Sequence, residues 1–296
     1  MRTGKKQFDG YFLVPDELGL CMVLEGPWSN SYRDQISKDR VTTLRLSKSA
    51  GWKAEDLGFL RQLRGLHGLE IYNWDVKDIS AVNDLQSLRK LCLECNYQTP
   101  PNYSGLTRLK SCFIRWRPKS DDLFDCGTLQ YLNVVNYPYH DLNPLQALNK
   151  LRVLKLTSSK LTALDGIESL QSLETLDLFR CKTLQTLEGI QSCANIRSLT
   201  IDTCSNVENL EPVGELHELR YLAINNCGNI RSLKPLMGFQ KLEHLFFIEN
   251  TNILDGDLSV VRSLSALRDT WFANRPHYSS SREEIKQVLR RSSVST

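Results

Sequence analysis

LETLDLFRCKTLQTLEGIQSCAN, residues 173–195, is the stretch whose reading decides the fold. Leu173, Leu176 and Leu178 follow LxxLxL, and its alternating end predicts a short strand with every second side chain turned inward. The same text returns three more times: LRVLKLTSSKLTALDGIESLQS (151–172), IRSLTIDTCSNVENLEPVGELHE (196–218) and LRYLAINNCGNIRSLKPLMGFQK (219–241). The four stretches align with a single one-residue gap. After each strand motif an apolar residue recurs at about every third position, as in Leu161, Leu164, Ile167 and Leu170, or Ile230, Leu233, Leu236 and Phe239. That spacing suits a tight 3₁₀-like return path, whose i and i+3 side chains eclipse.

Working outward, unit starts fall at Val41, Leu66, Leu88, Leu109, Leu129, Leu151, Leu173, Ile196, Leu219, Leu242 and Leu267. Two units are degenerate, with Cys112 and Thr270 in place of the second Leu. The pattern resembles the leucine-rich repeat family, in its short variant of about 22 residues. The resemblance implies an α/β leucine-rich repeat solenoid over residues 41–275, its curved, parallel, concave sheet built from about ten to eleven short strands, with a 3₁₀ or irregular convex side. One unit cannot bury its own leucines, so the units must stack and the ends must be covered. Residues 1–40 are the expected N-terminal cap, a β-hairpin in which FDGYFLV and LCMVLEG flank the turn PDELG. Residues 276–296 are the expected C-terminal cap or tail, partly helical, with Ile285, Val288 and Leu289 on one stripe.

Bulk properties narrow the function classes. Among 296 residues Leu occurs 48 times, and no run of eighteen apolar residues is present. The formal charge is +3, and from Arg275 onward five Lys/Arg face two Asp/Glu, so the body is balanced. No dense basic stripe crosses the units, which argues against nucleic acid. The N-terminus shows no secretory apolar region, and the nine cysteines are scattered and odd in number. Both features lead to the expectation of a cytoplasmic protein with reduced thiols and no membrane segment.

Nothing in the chain assembles a catalytic centre, so no enzyme, cofactor or metal is expected. The histidines at 67, 140, 217, 244 and 277 lie in different units. No phosphate loop, nucleophile elbow or HExxH is present. The competing class is a metal or redox protein that uses Cys92 and Cys95, or the column Cys181, Cys204 and Cys227. Cys92 and Cys95 lie along an extended segment, which sets their Cα atoms roughly 10 Å apart, beyond disulfide reach. Residues one repeat apart stack at ~4.8 Å, and three collinear thiols cannot surround a tetrahedral zinc.

The resemblance implies a platform for protein recognition. Counting the first Leu of LxxLxLxx as position one, positions 3, 5, 7 and 8 point to the concave side. The candidate contact residues there are Tyr72, Phe113, Arg115, Trp116, Tyr131, Asn133, Lys155, Asp177, Phe179, Arg180, Tyr221, His244, Phe246 and Trp271. They form two aromatic groups: Phe113, Arg115, Trp116 and Tyr131, extended by Phe179 and Arg180, and Tyr221, His244, Phe246 and Trp271. Aromatic residues and Arg dominate interface hot spots. The expected partner is a protein or peptide met by a free monomer, in an adaptor, sensor or toxin-neutralising inhibitor role. A self-associating scaffold is the other alternative.

Overall fold

The computed structural model of the chain describes residues 6–54 and 56–294, with side chains described as far as Leu289. Residues 1–5 of the expected N-terminal cap and residues 295–296 of the expected tail lie outside the described residues. The chain forms two compact units, Met1–Asn133 and Val134–Thr296.

In the first unit, β1 (Lys6–Phe8), β2 (Tyr11–Asp16) and β3 (Gly19–Leu24) make an antiparallel meander. β3 then pairs in parallel with β4 (Thr43–Ser47). From there β5 (Gly68–Asn73), β6 (Lys90–Cys95) and β7 (Ser111–Arg115) add in sequence order, all parallel. The register is that of the repeat: Leu44, Leu69, Leu91 and Cys112 form one inward row, which is why Cys112 is fully buried. Between β3 and β4 runs helix α1 (Ser31–Lys38), which the sequence did not announce because it carries no apolar stripe. Tyr32 and Trp28 anchor it, Trp28 stacking on Phe59 at 4.5 Å and Tyr32 meeting Tyr11 edge-on at 5.1 Å.

The boundary between the units falls inside β8 (Tyr131–Val135). The second unit continues with β9 (Val153–Thr157), β10 (Thr175–Phe179), β11 (Ser198–Asp202), β12 (Tyr221–Asn225), the two-residue β13 (Asn229–Ile230), β14 (His244–Phe247), the two-residue β15 (Asn252–Ile253) and β16 (Asp269–Phe272). β9, β10, β11, β12, β14 and β16 pair in parallel, one after another. Each of the eleven unit starts read from the sequence is followed two residues later by a strand. The return segments carry short 3₁₀ turns such as Ile167–Ser169, Ile190–Ser192 and Glu211–Glu215, as the threefold spacing required. The core is the stacked leucines, and each one buried contributes about 1.5–3 kcal/mol.

The turn after each strand is built by hydrogen bonds to neighbouring repeats. Arg180, Thr203, Asn226 and Glu249 hold position eight of successive repeats with φ between 52° and 57°. That left-handed turn aims the amide of Arg180 at the carbonyl of Asp202, and of Thr203 at that of Asn225, at 2.8 and 2.9 Å. The next residue donates backwards. The thiols of Cys181, Cys204 and Cys227 approach the carbonyls of Leu156, Leu178 and Ile201 at 4.0, 3.5 and 3.3 Å. Thr251 ends the column in the same role: its hydroxyl donates to the Ile224 carbonyl at 2.7 Å and accepts from the Cys227 amide at 3.2 Å. The 23-residue cysteine interval is therefore a column of buried donors, with weak thiol donors at most rungs.

At the far end, after the short helix α2 (Ser259–Ser263), helix α3 (Arg282–Val294) starts with a reciprocal capping box. The Ser281 amide donates to Glu284 Oε2 at 2.7 Å while the Glu284 amide donates to Ser281 Oγ at 3.3 Å. This pair satisfies two of the amides that a helix start leaves free. Ile285 is fully buried.

Thr251→Val keeps the shape of that buried side chain and strands one carbonyl and one amide. Because an unsatisfied buried polar group costs about 1–3 kcal/mol, the variant should unfold at lower denaturant with unchanged slope. Urea melts followed by circular dichroism check this.

Candidate functional site

The parallel register sorts the outward-facing positions into rows that cross the strands. In the second unit, position five gives Lys155, Asp177, Thr200, Ala223, Phe246 and Trp271 as consecutive neighbours. Position three gives Thr175, Ser198, Tyr221, His244 and Asp269. Small side chains at Thr200 and Ala223 thus separate a charged end from an aromatic end.

At the charged end, Lys155 and Asp177 neutralise each other at 2.7 Å. Phe179 is 41% exposed and carries the Arg180 guanidinium 5.1 Å over its ring. At the aromatic end the rings are packed together. Tyr221 lies 5.6 Å from Phe246 and 6.2 Å from His244, and His244 stacks on Phe246 at 6.3 Å. Trp271 remains 48% exposed, although Arg282 and Lys286 of α3 stand 4.0 and 4.5 Å over its ring. Tyr221, Asn225, Phe246, Ile248, Asp269 and Trp271 line a depression of about 380 Å³.

The first unit treats the same positions differently. Glu70, at an outward position, is only 2% exposed. It pairs with Arg45 and, at 2.7 Å, with Lys90. Lys90 also meets Asp16 and Glu17, both at 3.0 Å. Burial alone would lower the Lys90 pKa, but the hydrogen bonds to Glu70, Glu17 and Asp16 outweigh it and push it up. Burial likewise opposes ionisation of Asp16, and the hydrogen bonds from Lys90 and Thr43 overcome it, leaving that carboxyl below its ordinary value. This network across the hairpin and β4–β6 was not visible in the sequence, because Asp16 and Lys90 lie 74 residues apart.

The first unit's candidates meet different neighbours. Tyr72 is half-buried, and its hydroxyl is hydrogen-bonded with the Cys92 thiol. Trp116 is half-buried against the return segment, stacked on the buried Phe124 at 5.2 Å, so it is partly wall. Arg115 places its guanidinium 5.1 Å over Trp74, a 45% exposed ring just past β5 that the position rule passed over. Asn73, counted as outward by that rule, is buried and accepts from the Asp75 amide at 3.0 Å. Phe113, Tyr131 and Asn133 hold half-buried outward places on β7 and β8.

All nine thiols are free and buried. Burial pushes Cys92 and Cys95 up to about 12 and Cys227 up to about 11. Within the column the hydrogen bond from Cys204 holds Cys181 down against its burial, and Cys204 is pushed up in return. Among the described residues, no group of three or more His, Cys, Asp or Glu is placed to share a metal ion. No described helix is long and apolar enough to cross a membrane.

No family model and no curated protein matches the chain in sequence. Solved structures do match. An internalin, inlF, of Listeria monocytogenes superposes with a TM-score of 0.66 at 21% identity, over 91% of this chain and 77% of that one. TLR13, solved in complex with ssRNA13, superposes with a TM-score of 0.58 at 18% identity over 87% of this chain. The match spans 40% of the TLR13 chain. A leucine-rich repeat protein of Leptospira interrogans matches at 17% identity over 85% of this chain and 76% of that one, with a TM-score of 0.46. These neighbours are leucine-rich repeat proteins. The chain has the leucine-rich repeat fold. In leucine-rich repeat terms, the aromatic rows occupy the open strand face, and the cysteine column lies in the turn that links strand to return path.

Three outcomes follow. Lys90→Met leaves a buried carboxylate short of a partner, and since breaking a buried pair costs about 3–5 kcal/mol, a loss of that order should appear in denaturant melts at pH 7. Asp16 is depressed in the fold, so its contribution is present above the unfolded carboxylate value and is lost as pH falls through the lower folded value. Asp16→Asn should therefore flatten the acid limb of the stability curve below about pH 4, measured by melts from pH 2 to pH 7. A chromogenic disulfide reagent at pH 7 should find the nine thiols silent in native protein and reactive in denaturant.

Proposed function

We propose that the chain is a non-catalytic recognition module that binds a protein partner through the strand face of its second unit. The observation that carries this reading is the clustered set Tyr221, His244, Phe246 and Trp271, packed ring on ring at outward positions around an open depression. Strand residues at such positions have no core to fill, and aromatic clusters of this kind supply most of the binding energy at protein interfaces. The first unit supports the reading by contrast. Its outward positions are taken up by the Glu70 and Lys90 network, by Tyr72 on Cys92 and by Trp116 on Phe124.

The leucine-rich repeat neighbours point to binding rather than catalysis. TLR13 is solved with an RNA, but here Asp202 and Asp269 stand beside the aromatic set and would repel phosphates. An adaptor, sensor or inhibitor role in a reducing, cytoplasmic setting accords with nine free buried thiols.

The test is affinity capture from an extract of the source cell. Tyr221→Ser/Phe246→Ser should lose the captured protein by about 30-fold or more in affinity, because hot-spot truncations cost about 2 kcal/mol or more. Glu188→Ser/Gln191→Ser, on an exposed return segment, should capture as wild type. Equal capture by both double variants, each shown to be folded, rejects this face as the binding site.

A further inference from the structure

The depression between β12, β14 and β16 holds a polar atom that the fold leaves unsatisfied. Asn225 Oδ1 is buried and accepts no hydrogen bond. A buried acceptor without a donor is costly and is a reason to look for a missing donor. Asn225 lines the depression with Tyr221, Phe246, Trp271 and Asp269. We propose that this depression is a guanidinium site, taking the side chain of an arginine presented by the partner protein. The proposal rests on the strand-face reading above and deepens it.

Apart from the aliphatic Ile248, the walls of the depression favour a cation that donates hydrogen bonds. Tyr221, Phe246 and Trp271 offer π-faces, which attract a cation, most strongly when it is guanidinium and can also stack. Asp269 is exposed and takes part in no ion pair among the described residues. Asp202 adds a second carboxylate beside Asn225 in the parallel register. Of the nearby cations, Lys286 has its place over the Trp271 ring and the arginines are held by carboxylates. Arg220 and Arg268 both bind Glu243 at 3.0 Å, and Arg282 pairs with Glu283 at 3.1 Å.

Trp271 also shows that its ring accepts such groups, since it already carries Arg282 and Lys286 of α3. Neither of these side chains lines the depression. A guanidinium is preferred over an ammonium because its planar fork can bind the Asp269 carboxylate through two N–H groups while stacking on a ring, and it can serve Asn225 Oδ1 once that closed-off side chain turns toward the guest. A lysine ammonium is a compact, strongly hydrated charge without that fork. The volume of about 380 Å³ is at the lower end for small-ligand sites, which suits one side chain rather than a cofactor.

The probe is N-butylguanidinium, titrated into the full chain while the Trp271 indole resonance is followed by NMR, with Trp271→Phe giving its assignment. N-butylammonium and the neutral isostere N-butylurea are the comparisons. The expected result is a saturable shift with N-butylguanidinium at millimolar concentration, with both comparison probes at least tenfold weaker. Asp269→Asn should weaken the guanidinium about tenfold, and Asn225→Ala should weaken it further while leaving the melting temperature of either variant near wild type. Equal midpoints for the guanidinium and the urea overturn the proposal, as does equal binding of the ammonium or the absence of a saturable shift at Trp271. If the titration fails while Tyr221→Ser/Phe246→Ser still loses the captured protein, the arginine site falls and the recognition face stands. If capture is indifferent to those substitutions, the recognition face itself falls.

Discussion

The controlling constraint is that no repeat can finish its own structure. A repeat has one inward row of leucines and one strand-end carbonyl that its own chain cannot cover. The leucines are buried only when the next copy stacks on them. The carbonyls of Leu156, Leu178, Ile201 and Ile224 are approached by Cys181, Cys204, Cys227 and Thr251 of the following repeat. In the other direction, the left-handed residue at position eight gives its amide to the repeat ahead. Stacking therefore fixes the register from both sides, by apolar fit and by hydrogen bonds, and the outward positions inherit their row order from it.

The architecture was legible because the repeat writes itself at two periods, alternation for the strand and threes for the return turn. The spacing alone located every repeat strand, including those with Cys112 and Thr270 at the second leucine, since the row is set by the paired neighbour strand. Thr270 keeps its place in that row by donating its hydroxyl to the Leu245 carbonyl at 2.8 Å. What the repeat could not announce is anything that occurs once. Helix α1 is held by Trp28 and Tyr32 against rings distant in sequence, and Glu70 is buried by ion pairs to Arg45 and Lys90.

The same distinction explains why the candidate contact residues are placed so differently. A position rule gives the direction of a side chain, and the direction held for Tyr221, His244, Phe246 and Trp271, which share adjacent rows. It does not say what else reaches that position. Phe124 reaches Trp116, the Cys92 thiol reaches Tyr72, and α3 reaches one part of Trp271. Trp74 was invisible for the converse reason, because it follows the last counted position and yet faces Arg115.

Because stacking is secured by inward leucines and turn donors, outward positions are free to carry residues that stability would not select. The two units use that freedom in opposite ways. The first closes its outward row with charges that satisfy one another, and a carboxylate such as Glu70 is tolerable there only because Arg45 and Lys90 both reach it. The second leaves Phe179 and Trp271 exposed, a ring cluster open and an amide oxygen without a donor. Each of these features costs the isolated chain free energy, and none is needed for stacking, since Thr200 and Ala223 occupy equivalent places with small side chains. An exposed Trp271, a packed ring cluster and the unsatisfied Asn225 amide oxygen meet around one depression, and the cost they impose on the free protein is recovered when a partner fills it.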